Sequence, residues 1–274
     1  EADRRRKAIL AAPNSIKSCD RLRVIGHDDI LLDDKYKGLP ENCKSRPGEI
    51  IRFVDGHDLT GHFESFIHAP FKDDQAKDKN KTSLSMNVIL SEGDKPGQFF
   101  FFGDREYTTI KRIFETTEST KNSERDNTLY LFWNVMLSAH HCSKAVMYYQ
   151  AEGDKEECFK KDIMEYFEKY SIESNGYIVS SSKSDFSDEV GKNPPHAKAR
   201  KQYEGIVKPG HFICTHEYPS EQKPSPLIFT VDKNGFGLAD KRAKSQSPAG
   251  LATTVTAARG GTQPPSTQVG FGKL

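Results

Sequence analysis

Short apolar runs that stop abruptly at polar clusters limit what this chain can fold into. Residues 99–102 are four consecutive phenylalanines, and they end at Gly103-Asp104-Arg105-Glu106. Residues 129–137 are largely apolar and lead into His140-His141-Cys142-Ser143. Apolar runs this short read as buried strands. A carboxylate and paired imidazoles are thereby delivered to strand ends. Hard oxygen with imidazole nitrogen suits zinc, manganese or iron better than a soft-metal site. A centre of that kind activates water, so the residues point to a metal-dependent hydrolase.

Hydrophobic periodicity extends this picture along the chain. Residues 22–25 and 50–54 carry short strand-like patches, and Phe63, Phe66 and Ile67 precede His68. The charged stretch 73–81 reads as a solvated loop. Residues 84–90 form a strand, 93–97 a turn and 99–102 the partner strand. Tyr107, Ile110, Ile113 and Phe114 have helical spacing, as do Phe159, Ile163, Phe167 and Tyr170. The run 129–137 and residues 177–179 are read as strands. Pro194-Pro195 opens a further helix bearing Ala199, Tyr203, Ile206 and Val207, because proline loses nothing at a helix start. Residues 212–215 and 227–231 are strands, and Asn234-Gly235 is a hairpin turn. Strands alternating with helices give a layered α/β (α+β) domain over 1–240. Residues 241–274 are rich in Ser, Thr, Ala, Gly and Pro and are expected to form a disordered tail.

Composition narrows the setting. Forty Lys+Arg against 39 Asp+Glu leave a net charge of +1, which by itself selects no nucleic-acid partner. No apolar stretch approaches the ~20 residues of a membrane helix, so no membrane segment is expected. Five scattered cysteines without CxxC spacing fit a reduced, cytoplasmic chain. The first residue is Glu1 rather than Met, and the chain is read as a fragment or processed form.

The ordered motifs resemble a family. Asn80-Lys81-Thr82-Ser83-Leu84, then 102–106 ending in Gly103-Asp104-Arg105-Glu106, then His140-His141-Cys142-Ser143 are similar to the metallo-β-lactamase-fold hydrolases. The closest branch contains the C-terminal domain of the competence protein for DNA uptake. Ser180-Ser181-Ser182, Asn193-Pro194-Pro195-His196 and Thr215 extend the likeness over roughly residues 63–238. Ala139 and Cys142 stand where the branch carries proline and glycine. The resemblance implies the C-terminal part of an αββα sandwich and one or two zinc ions, with manganese as an alternative. It implies hydrolysis of a phosphodiester or a related small-molecule ester, with DNA as a candidate partner. The family's H-x-H-x-D-H motif is missing from this sequence. His27-Asp28-Asp29 and His57-Asp58 with His62 are the nearest substitutes, and neither has the spacing. The first half of the sandwich, with that motif, is expected upstream of Glu1. A degenerate, non-catalytic binding module is the alternative.

Within this frame Asp104 is the expected metal ligand, where the plainer role is a helix N-cap. Glu106 is a supporting group. One of His140 and His141 is the other ligand; adjacent residues point different ways, and the sequence leaves open which. The second of the pair, with His141 the catalytic candidate, orients a ligand or meets the leaving group. His196, at a helix start where anions are favoured, is the candidate proton donor or phosphate contact. Asn80 and Ser83 are candidates for the rim, and Ser182 with Lys183 for a phosphate contact. His68 is read as structural, and His211 and His216 as surface residues. Cys142 beside His141 raises a thiol nucleophile as a further option.

Overall fold

The structure is a computed structural model and describes residues 2–12, 22–54, 57–72, 83–120, 126–172, 176–189, 191–223 and 225–239. The expected loop at 73–81, Asn80 and the expected tail at 241–274 therefore lie outside the described residues. The chain divides into units 1–237 and 238–274. Only the first two residues of the second unit are described.

An N-terminal helix, α1 (Ala2–Ala11), precedes the main sheet and buries only Ile9. Seven strands follow: β1 (Ile50–Ile51), β2 (Phe63–Ala69), β3 (Ser85–Leu90), β4 (Gly97–Phe101), β5 (Val135–Leu137), β6 (Tyr177–Ser180) and β7 (Phe212–Cys214). They form one sheet in which spatial order repeats chain order, β7-β6-β5-β4-β3-β2-β1. The pairs from β1 to β4 are antiparallel, and those from β4 to β7 are parallel. Parallel neighbours require crossovers. Here α2 (Tyr107–Ser119), α3 (Lys161–Lys169) and α4 (Ala197–Ile206) supply them. Successive crossovers of one hand moving one way across a sheet put every helix on the same face. Packing agrees: α2, α3 and α4 share one core cluster with β4, β5 and β6. Mixed α and β content around a mixed seven-stranded sheet is thus established.

Register explains the two faces. Phe100, Met136 and Ile178 are aligned neighbours, and all three are fully buried beneath the helices. Phe102, Ile110, Phe114, Phe167 and Tyr203 complete that core, where each large side chain contributes about 1.5–3 kcal/mol by leaving water. The alternate residues point the other way. Phe99, Val135 and Tyr177 form one row, and Phe101, Leu137 and Val179 form another. A hairpin, β8 (Phe229–Asp232) with β9 (Gly235–Leu238), covers the first row. Its Phe229 and Phe236 rings lie 6.3 and 5.9 Å from Phe99. The hairpin expected at Asn234-Gly235 is present, but its turn is Lys233-Asn234, and Gly235, at φ +109, opens β9.

Two expected elements differ. Residues 129–137 are a 3₁₀ turn at Thr128–Leu131 followed by a strand only at Val135–Leu137. Phe159 precedes α3, in a two-residue strand paired with Tyr148–Tyr149. No helix among the described residues is long and apolar enough to cross a membrane.

Candidate metal centre

The polar clusters gather where β4, β5 and β6 end. After β4 the chain turns at Gly103, whose φ is +66. A side chain here would be strained, and its Cβ would lie 2.9 Å from the Ser83 Cβ and 3.0 Å from the Leu84 carbonyl. Arg105, fully buried, turns inward and donates from Nε to the Ser83 carbonyl at 2.9 Å. That anchor leaves Asp104 facing outward. Glu106 occupies the N-cap position of α2 without a side-chain bond, so Asp104 is not the cap.

The β5 end is braced against this turn. His140 N–H donates to the Gly103 carbonyl at 2.9 Å, and Ser138 N–H donates to Val179 at 2.8 Å. His140, His141 and Cys142 then adopt φ of +47, +52 and +65 in succession. For residues other than glycine this left-handed backbone costs of order 1–3 kcal/mol each and persists only where surroundings enforce it. Enforcement comes from beneath, through His196. Its main-chain N–H donates to the Cys142 carbonyl at 3.0 Å, and its ring Nδ1 accepts from the Lys144 main-chain N–H at 3.3 Å. The Cys142 side chain is fully buried in the core.

The turn sends the two imidazoles apart. His141 Nε2 lies 3.5 Å from Asp104 Oδ1, and both side chains are about half-exposed. His140 Nδ1 instead lies 3.6 Å from Glu106 Oε1. His141 Nδ1 donates to the Ser181 carbonyl at 2.9 Å, beyond the end of β6. A carbonyl only accepts, so Nδ1 carries the hydrogen, and Nε2 is the ring nitrogen left facing the Asp104 carboxylate. The structure thus brings Asp104 together with His141 and separates His140 toward Glu106. Ser181 is the partner that sequence reasoning missed, because a main-chain acceptor leaves no mark in residue type.

The remaining candidates fall elsewhere. His196 is 5% exposed, and its pKa is lowered first by burial and then by the Lys144 charge. The Lys192 backbone also hydrogen-bonds its ring, so His196 is fully engaged rather than a free helix-start imidazole. Burial pushes the Cys142 thiol up to about 12, away from thiolate character. His68 is buried between Thr117 and the Tyr130 carbonyl, a structural residue as expected. His27 meets the Pro70 carbonyl, and His62 the Ser91 carbonyl. His57 and Asp58 pair with the short strand Phe53–Val54. Among the described residues no three His, Cys, Asp or Glu side chains converge as a ligand set.

Comparisons with family models, with curated proteins and with solved structures return no match to this chain.

Proposed function

We propose that the chain is a metal-dependent hydrolase in which Asp104 and His141 hold a divalent cation, zinc or alternatively manganese. One observation carries this reading: the 3.5 Å between Asp104 Oδ1 and His141 Nε2. That is longer than a direct N–H···O hydrogen bond of about 2.7–3.2 Å. Bonds of about 2.0–2.2 Å from each atom to one cation span it comfortably. The Ser181 carbonyl on Nδ1 supports the same role, since a metal-ligating imidazole normally donates its other N–H to a fixed acceptor. When bound, such a cation supplies water with a pKa near about 7, and so hydroxide at neutral pH.

The chain's own residues divide the remaining work. Asp104 provides the negative charge that retains the cation. His141 fixes its direction through Ser181. His140 lies beside Glu106, and in this reading it would contact the leaving group. His196 acts as a positioning residue that holds the strained turn. The substrate is a phosphodiester or a related ester, DNA among them. The order of the motifs and the apolar row of Phe101, Leu137 and Val179 fit an αββα sandwich, in which a second sheet would pack on that row.

A second reading, a degenerate member of the fold that binds a partner without catalysis, is favoured by the lack of a third ligand among the described residues. Metal analysis after equilibration with zinc or manganese and dialysis separates the two. The hydrolase reading expects stoichiometric metal in the wild-type chain. It expects a loss of tenfold or more in affinity for Asp104→Asn and His141→Gln, and a smaller loss for His140→Gln. Metal retained equally in all three variants overturns the ligand assignment, and none retained by the wild type favours the binding module.

A further inference from the structure

We propose that the groove at the carboxyl ends of β6 and β7 seats a tetrahedral oxyanion, the phosphate of an ester substrate, beside the Asp104–His141 pair. The inference rests on reading that pair as the reaction centre and gives the centre its substrate class. Ser181, Ser182, Lys183, Thr215 and His216 line an open groove of 460 Å³. The groove lies at the carboxyl ends of the parallel neighbours β6 and β7.

Its chemistry is rich in donors. Lys183 and Thr215 are exposed, and the Lys183 ammonium enters no ion pair among the described residues. The main-chain N–H groups of Ser181, Ser182 and Lys183 find no acceptor among the described residues. Successive N–H groups of this kind form a concavity suited to an anion. The Ser182 hydroxyl is already engaged by Ser180 at 2.7 Å and serves to hold the loop. His216 Nδ1 lies 3.3 Å from the Ser184 hydroxyl. Glu221 accepts from that same hydroxyl at 2.7 Å and does not line the groove. An ammonium, amides without an acceptor, a hydroxyl and an imidazole among the lining residues favour an anion over a cation.

The groove is also joined to the pair. Ser181 lines it while holding His141 Nδ1 through both its carbonyl, at 2.9 Å, and its hydroxyl, at 3.3 Å. A phosphate bound there would sit on the same loop that aims the imidazole.

Orthophosphate binding to the full chain, followed by titration calorimetry in a chelator-treated buffer, tests this. Saturable binding is expected in the wild type, weakened tenfold or more in the double variant Lys183→Gln, Thr215→Val. Both groove positions are exposed, and circular dichroism verifies that the double variant folds. No saturable binding, or equal binding by the folded double variant, overturns the groove assignment whatever the metal analysis gives. Phosphate binding that persists in a chain retaining no metal leaves the groove standing and sinks the hydrolase reading alone.

Discussion

At the scale of single residues, His68 ties this fold to pH. Its ring lies among Phe66, Phe100, Thr117 and the Tyr130 carbonyl. Burial lowers its pKa to about 3, against the opposing pull of the Tyr130 carbonyl. The native state therefore keeps His68 neutral where the unfolded chain, with a pKa near about 6.5, takes up a proton. Because the unfolded state binds more protons, stability falls as the pH drops below about 6.5, by up to about 1.4 kcal/mol per unit until about pH 3. Above about 6.5 both states are neutral at this residue, and it adds no slope. Urea unfolding at pH 7 and pH 4.5 measures the effect. His68→Gln, which does not titrate, is expected to lose about 1–3 kcal/mol at pH 7 through altered hydrogen bonds. It is also expected to show a shallower acid slope than the wild type. An unchanged slope would place the acid sensitivity elsewhere.

At the scale of elements, the apolar period of α2, α3 and α4 made them readable, since each lays a stripe on the sheet. The run at 129–137 was not readable, because an apolar stretch alone does not separate a strand from a buried turn. Asp126 takes the Thr128 N–H at 2.9 Å and starts a 3₁₀ turn, so the strand begins only at Val135. The turn swings Trp133 beneath the sheet, where its indole donates to Phe167 at 3.1 Å and its ring lies against Gly176. In the candidate site, residue types marked Asp104 and the histidine pair. The choice of His141 over His140 depends on three left-handed backbone conformations that no residue type announces. Gly176 offers a test of the tertiary contact. A Cβ there would lie 2.3 Å from Trp133 Cζ3. Gly176→Ala is therefore expected to cost roughly 1–3 kcal/mol through overpacking. Trp133 is the sole tryptophan and is fully buried, so its emission reports the change directly. A red-shifted native spectrum with an earlier urea midpoint is expected, and an unaltered spectrum and midpoint would contradict the packing.

At the scale of the whole molecule, the two sheet faces are held by unlike means. Three crossover helices seal one face, where Phe100, Met136 and Ile178 are fully buried. The other is covered over Phe99 and Tyr177 by the β8–β9 hairpin, whose Phe229 ring lies 5.4 Å from both Tyr177 and Phe236. Phe99, Phe229 and Phe236 are only half-buried, so the hairpin docks with less apolar area than a helix does. Regions with few buried apolar contacts open at lower free energy than the core. Hydrogen exchange is therefore expected to be slowest in β4, β5 and β6, which have a strand on either side, and faster in β8 and β9. Phe236→Ala sharpens the comparison. It removes one ring from the hairpin and leaves the helix face untouched, at a cost of about 2 kcal/mol for a partly buried phenylalanine. Exchange should accelerate in β8 and β9 while the β5 and β6 amides keep their rates, because local opening of the hairpin does not unfold the sheet. If instead every strand accelerates by the same factor, the hairpin belongs to the cooperative core, and the two faces are not independent.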